Sequence, residues 1–267
     1  KTENPKKVMV IGGGVAGLCA AFIAKEKGHE VTLYEAGDVL GGNMRLAAYP
    51  PGKGDITNMI RSYIHRCQKD GVKIVMNCEV TPELIKEEKP DSVIIATGSK
   101  TLILPIEGID NPAIIHGSDL LDGKRPAGKK VLVVGGGMVG CETAAFLGEQ
   151  EHDVTVIEFR DTVGADVIHE HRVYLMKDFE DYGIKEITGA KVCKFYEDGV
   201  EYETADGVRH ETRGYDSVIL SMGFRNYNPL EEKIKDLVPE THVIGDAIRA
   251  RRALDATKEA YEVASRL

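Results

Sequence analysis

Val8-Met9-Val10-Ile11-Gly12-Gly13-Gly14-Val15-Ala16-Gly17 is a stretch that this chain writes twice. The second copy is Val131-Leu132-Val133-Val134-Gly135-Gly136-Gly137-Met138-Val139-Gly140. Each begins as a short apolar run that reads as a buried strand, breaks into glycines spaced G-x-G-x-x-G and continues as a helix of small residues. The glycines have separate physical tasks. Gly12 and Gly135 permit a tight strand-to-helix turn, Gly14 and Gly137 let a pyrophosphate approach the backbone, and Gly17 and Gly140 let helix and strand pack closely. Val15, Ala16, Met138 and Val139 then open two helices whose unpaired N–H groups and positive dipole ends suit a phosphate.

One such motif alone would be weak evidence; its surroundings repeat as well. Each copy is followed by a second strand ending in an acid, Val31-Thr32-Leu33-Tyr34-Glu35 and Val154-Thr155-Val156-Ile157-Glu158. Glu35 lies 23 residues after Gly12, and Glu158 lies 23 after Gly135. An acid near that distance accepts hydrogen bonds from a ribose diol. A late strand also recurs, Asp91-Ser92-Val93-Ile94-Ile95-Ala96-Thr97-Gly98 answering Asp216-Ser217-Val218-Ile219-Leu220-Ser221-Met222-Gly223. The glycine loops repeat at an offset of 123 residues and the late strands at 125, which describes a duplicated domain rather than a short-period solenoid. Two ordinary glycine turns would not explain the matched acids and strands.

The 267 residues are enough for two domains with their own cores, and 42% hydrophobic with 29% charged residues is ordinary for a globular protein. A net charge of −9 argues against nucleic acid and anionic membrane surfaces as partners. No apolar run approaches the roughly 20 residues of a membrane helix. The five cysteines, Cys19, Cys67, Cys78, Cys141 and Cys193, include no C-x-x-C pair. That excludes a thioredoxin-type dithiol and a cysteine-ligated cluster at the usual spacing, and it fits a reducing, cytoplasmic setting. Cys19 and Cys141 read as packing residues. The chain starts at Lys1 rather than Met, as a piece of a longer polypeptide would.

Between the motifs, Leu40-Gly41-Gly42-Asn43-Met44 is a further glycine turn, able to bring more backbone N–H groups to a pyrophosphate. Pro50-Pro51-Gly52-Lys53 precedes a helix with Ile56, Met59, Ile60, Tyr63, Ile64 and Cys67 on one face and Arg61, His65 and Arg66 on its solvated side. Thr81-Pro82-Glu83 reads as a helix start, and Gly28 as a helix stop. Residues 106–130 read as a connector. Val173, Met176, Phe179 and Tyr182 mark an amphipathic helix, and residues 190–213 a three-stranded meander with turns at Asp198-Gly199 and Asp206-Gly207. The helix at 82–88 takes the meander's place in the first copy. His169-Glu170-His171 lacks a third ligand at a telling spacing, so no metal site is assigned. Thr241-His242-Val243-Ile244-Gly245-Asp246-Ala247 is a strand that ends in Gly-Asp before a terminal helix. It returns the chain to the first domain, which then comprises residues 1–102 and 235–267, with residues 103–234 as an inserted second domain.

Taken together, the two glycine fingerprints, the two acids, Ala96-Thr97-Gly98 and Gly245-Asp246 resemble the flavoproteins with two dinucleotide-binding domains, such as thioredoxin, glutathione and ferredoxin reductases. The run from Leu40-Gly41-Gly42-Asn43-Met44 to Pro51-Gly52-Lys53 narrows this. It resembles the C-terminal module of the old yellow enzyme-like NADH:flavin oxidoreductases, among them dienoyl-CoA reductase, enoate reductases and trimethylamine dehydrogenase. The resemblance implies an α/β fold of two Rossmann-like three-layer domains, the second inserted in the first. It implies an FAD site at Gly12, Gly14, Val15, Ala16, Gly17, Glu35, Gly42, Asn43, Ala96, Thr97, Gly98, Gly245 and Asp246, with the Val80 backbone at the adenine. It implies a nicotinamide nucleotide site at Gly135, Gly137, Met138, Val139, Gly140, Glu158 and Gly223. An N-terminal FMN barrel and an iron–sulfur cluster would lie on a part of the polypeptide outside this sequence. Met222 departs from the pattern set by Thr97. Arg160 could favour a 2′-phosphate, but Glu158 would repel one, which points to NADH over NADPH. The expected reaction passes hydride from NADH to FAD with the rings stacked at roughly 3–3.5 Å, and it requires no catalytic side chain. An ADP-holding structural module and a free-standing reductase of a protein carrier are the alternatives.

Overall fold

A computed structural model describes residues 1–267. They gather into two units, one made of Lys1–Ala48, Gly54–Lys100 and Phe224–Leu267, the other of Tyr49–Lys53 and Thr101–Gly223.

The first unit starts with β1 (Lys7–Ile11), which is buried on both faces. Its side chains alternate, so Val8 and Val10 enter one core while Met9 and Ile11 enter another. In α1 (Val15–Lys27) every residue from Val15 to Ala24 is buried, and Gly28 ends the helix in the left-handed region at φ 103°. Next come β2 (Glu30–Tyr34), the short α2 (Asn43–Leu46), α3 (Asp55–Asp70) and β3 (Lys73–Val75). Thr81 caps α4 (Pro82–Glu88) by accepting the Leu84 N–H at 3.3 Å, and Pro82 occupies the first helical turn, where no N–H is needed. Then follow β4 (Ser92–Ile95) and β5 (Ser99–Thr101).

The second unit holds β6 (Ile115–His116), α5 (Gly117–Leu121), β7 (Lys130–Val134), α6 (Met138–Glu149), β8 (Asp153–Ile157), α7 (His169–Asp181) and β9 (Lys185–Ile187). The meander is β10 (Lys191–Tyr196), β11 (Gly199–Glu203) and β12 (Arg209–Thr212), antiparallel throughout, and β13 (Ser217–Leu220) closes the unit. The first unit resumes with β14 (Phe224–Asn226), α8 (Glu231–Ile234), β15 (Glu240–Val243), a 3₁₀ turn at Gly245–Ala247 and α9 (Ala253–Ala264).

Each unit is built on a parallel five-stranded sheet, ordered β15-β4-β1-β2-β3 in the first and β6-β13-β7-β8-β9 in the second. Helices α1 and α9, with Cys67 of α3, cover one face of the first sheet, where Ala256, Ala260 and Ala264 let α9 approach closely. Ile85 of α4, Ile234 of α8 and Leu230 just before it cover the other. In the second unit Leu175 and Phe179 of α7 cover one face together with α6, and Val192, Phe195 and Val200 of the meander cover the other.

Four details differ from the sequence reading. Residues 224–234 pack into the first unit, because Leu230 and Ile234 fill its core, and residues 49–53 join the second. The segment 106–130 is more than a connector, since it supplies β6, which pairs with β13. Val173 is 57% exposed; the buried stripe of α7 is Leu175 and Phe179, with Met176 and Tyr182 at its edge. The Arg66 guanidinium lies 3.7 Å from the centroid of the Phe22 ring and pairs with Glu26 at 2.5 Å, so this half-exposed side chain of the polar face also packs on α1. No helix is long and apolar enough to cross a membrane.

Candidate functional site

In the first sheet the crossover after β1 runs through α1 to β2 on one side, while β4 lies on the other. The carboxyl ends of β1 and β4 therefore flank a topological switch point, the place where open α/β sheets bind ligands. Gly12 sits there at φ 107°, and a Cβ on it would come 2.3 Å from the Ala96 carbonyl oxygen. A Cβ on Gly17 would come 1.9 Å from the Gly12 carbonyl oxygen. Both are glycine because strand and helix touch through backbone. Gly14 differs: a Cβ there would meet nothing within 4 Å. It caps α1, and the first helical bond runs from Leu18 N–H to its carbonyl at 2.9 Å. The N–H groups of Val15, Ala16 and Gly17 precede that bond. Space at Gly14 and donors beside it make a cradle that fits a pyrophosphate.

The acid at the end of β2 holds this loop. Glu35 accepts the Gly13 N–H on Oε2 and the Gly37 N–H on Oε1, both at 2.7 Å. Gly41 N–H donates to the Gly13 carbonyl at 2.8 Å, and Gly42 follows at φ 55° beside Gly14. Asn43 Nδ2 donates to Ser99 at 3.2 Å, on both the carbonyl and Oγ. Ser99 Oγ in turn donates to Asp246 Oδ2 at 3.0 Å, while Asp246 Oδ1 accepts the Arg251 N–H at 3.0 Å. Gly245, at φ 63°, donates its N–H to Glu259 Oε2 at 2.8 Å. Thr97 Oγ1 donates to the Tyr227 carbonyl at 2.5 Å, and Gly98 turns the chain at φ 73°. Val80 buries its side chain in the core that contains Tyr34. Arg252 caps the N-terminus of α9, and its N–H is taken by Asp255 at 3.2 Å. The sequence reading missed Ser99, Arg251 and Glu259, lone polar residues outside any motif.

The second loop repeats the device. A Cβ on Gly135 would come 2.5 Å from the Ser221 carbonyl oxygen, and one on Gly140 would come 1.8 Å from that of Gly135. Gly137 caps α6, and the Cys141 N–H reaches its carbonyl at 2.9 Å. Glu158 accepts the Gly136 N–H at 2.6 Å and the Arg160 N–H at 3.0 Å, so Arg160 enters this turn through its backbone. Met222 packs at the edge of the core where the first copy has the bonded Thr97, and Gly223 turns at φ 96°. A further repeat escaped the sequence reading. Gly164, which is 123 residues after Gly41, donates its N–H to the Gly136 carbonyl at 2.7 Å. Asp166, at the same offset from Asn43, accepts the Met138 N–H at 2.9 Å.

Of His169-Glu170-His171, His171 places Nε2 3.1 Å from Oε1 of Glu142, a residue of α6 that is only 5% exposed. Lys53 Nζ pairs with the same oxygen. Two basic groups thus converge on one buried carboxylate of α6. Burial pushes the thiol of Cys19 up to about 11 and those of Cys67 and Cys141 up to about 12. They remain protonated and unreactive near neutral pH, which fits packing residues.

A pyridine nucleotide-disulphide oxidoreductase family model matches residues 6–245. The chain belongs to that family. Its members use FAD and a nicotinamide nucleotide. Relatives include a cinnamate reductase of Clostridium sporogenes, 33% identical over all of this chain and 40% of the relative. An NADH oxidase of Thermoanaerobacter brockii is 34% identical over 97% of this chain and 40% of its own. Among solved structures, a 2-naphthoyl-CoA reductase in complex with 2-naphthoyl-CoA superposes with a TM-score of 0.94, at 32% identity over 99% of this chain and 40% of that one. The resemblance to old yellow enzyme-like reductases is thereby met. The chain spans about two-fifths of the length of the curated relatives it matches.

Proposed function

We propose that this chain is the FAD- and NADH-binding module of a larger reductase. FAD would bind the first unit and NADH the second, and the electrons would pass on to an iron–sulfur cluster and an FMN barrel in the N-terminal part of the same polypeptide. The observation that carries the reading is the cradle at Gly14 together with the Asn43–Ser99–Asp246 chain of hydrogen bonds. A site for ADP alone needs only the cradle; a ribityl chain beyond the pyrophosphate would in addition offer hydroxyls to the Asp246 carboxylate, which already accepts from Ser99 and from the Arg251 N–H.

The two-electron chemistry comes from the bound flavin and nicotinamide. The chain's own residues bind and orient. The first-turn N–H groups of α1 and α6 hold pyrophosphates. Glu35 and Glu158 stiffen the loops and keep lone pairs for ribose hydroxyls. No side chain is assigned a proton transfer. Glu158 supports NADH over NADPH, as does the relative named as an NADH oxidase. The missing barrel is supported by the two-fifths coverage of the relatives, and a cytoplasmic setting by five unpaired cysteines.

The test is to release the ligand of the purified protein for mass spectrometry and to add NADH without oxygen. The expected result is FAD, bleached by NADH. A colourless protein that cannot be reconstituted with FAD, or one that yields ADP alone, overturns the reading.

A further inference from the structure

We infer that Asp166 is a built-in competitor for the pyrophosphate of the nicotinamide nucleotide, and that it keeps the second site weaker than the first. The inference rests on the nucleotide assignment above and concerns the regulation of that same site.

The two glycine loops are braced by the same device. Leu40 in one and Val163 in the other lie over Gly13 and Gly136, where a Cβ would come 2.4 and 3.0 Å from their methyl groups. Gly41 and Gly164 then donate to the carbonyls of those same glycines, at 2.8 and 2.7 Å. Two residues on, the copies part. Asn43 is neutral and turns to Ser99, leaving the first turn of α1 open. Asp166 carries a charge and turns inward. Its Oδ1 takes the Met138 N–H at 2.9 Å, and its Oδ2 lies 3.3 Å from where a Cβ on Gly137 would stand.

An anion at the N-terminus of α6 and against its second motif glycine occupies the ground that a pyrophosphate needs. The carboxylate satisfies a donor that would otherwise be unpaired in the ligand-free protein. To bind, the nucleotide must displace it and remain beside its charge. Asp166 is exposed, so the side chain can swing into solvent. The physical sense lies in the two ligands' roles. A flavin is retained through many turnovers, whereas a nicotinamide nucleotide must leave after each. One charge difference between equivalent positions separates a retentive site from an exchanging one.

The test compares Asp166→Asn with the parent protein carrying its flavin, using calorimetric titration with NAD⁺, ADP-ribose and adenosine, and NADH steady-state kinetics. Asparagine keeps an acceptor for the Met138 N–H and removes the charge. The expected result is about tenfold tighter binding of NAD⁺ and ADP-ribose, equal to about 1.4 kcal/mol. Adenosine, which has no pyrophosphate, should bind as before. The KM for NADH should fall. A loop role without competition would change adenosine and NAD⁺ binding alike, and that outcome overturns the inference, as does unchanged NAD⁺ affinity. If neither protein binds NAD⁺ or ADP-ribose, the assignment of the second site itself is wrong.

Discussion

Gly14→Ala and Gly17→Ala, three residues apart in sequence, should fail in opposite ways. At Gly14 the backbone has φ −71° and ψ −179°, which any residue adopts, and a Cβ meets nothing within 4 Å. Alanine there gains about 0.4–1 kcal/mol from a less flexible unfolded chain and loses about as much at a helix N-cap. The flavin-free protein should therefore melt at the parental temperature. The methyl group, however, stands in the cradle. An overpacking cost of about 1–3 kcal/mol converts to FAD binding roughly 5- to 150-fold weaker. At Gly17 the added Cβ would lie 1.9 Å from the Gly12 carbonyl oxygen, so α1 must retreat by more than an ångström before ordinary contact is restored. The upper end of the overpacking cost, about 3 kcal/mol, less about 1 kcal/mol of helix propensity, leaves about 2 kcal/mol lost, or about 4–8 °C in Tm. The assays are thermal unfolding of the flavin-free variants and titration with FAD. Should Gly14→Ala bind FAD with parental affinity, or melt as low as Gly17→Ala, the division of labour among these glycines is refuted.

Three further outcomes are expected. His29 is buried; its Nδ1 accepts the Lys6 N–H at 3.0 Å and its Nε2 has no partner. Burial first, then the charge of Lys6, hold its pKa below the usual histidine range, so the folded protein keeps it neutral while the unfolded chain takes up a proton. The unfolded state then binds more protons, and stability falls as pH drops from about 6.5 toward the lowered folded value; His29→Gln should flatten that part of a chemical-denaturation pH series. Alkylation of the native protein should modify Cys78 and Cys193 and spare the buried Cys19, Cys67 and Cys141, as peptide mass mapping would show. Glu142→Ala should destabilise the second unit by about 3 kcal/mol in urea unfolding, since both Lys53 and His171 lose their buried partner; a loss below 1 kcal/mol would show that this ion pair stabilises little.

Both nucleotide-binding folds were legible because their constraints are backbone constraints. Gly12, Gly17, Gly135 and Gly140 each stand against a carbonyl oxygen, and no other residue fits, so the sequence must spell the contact. The strands were legible because burial on two faces demands unbroken apolar runs. What stayed hidden follows from the same logic. The Gly164 and Asp166 bracket lay at the correct offset, but only one of its glycines matches and the polar residue differs. Residues 224–234 have no equivalent in the other copy, so nothing in the pattern assigned Leu230 and Ile234 to the first core. Ser99 and Glu259 act through hydrogen bonds that any short polar side chain or distant acid could make, and such bonds leave no spacing to read.

The differences between the copies fall where the fold permits them. The far face of one sheet is closed by α4 and α8 and that of the other by the meander, yet both glycine loops keep the same bracing bonds to within 0.1 Å. A far face only has to be apolar and covered, whereas a loop against a sheet end has one geometry that closes. On the proposed assignment, selectivity between a retained flavin and an exchanging nucleotide would not be written in the glycines. It would sit in side chains that project from the shared frame, and Asn43 against Asp166 and Thr97 against Met222 are such pairs: each differs in charge or hydrogen-bonding capacity at matched positions.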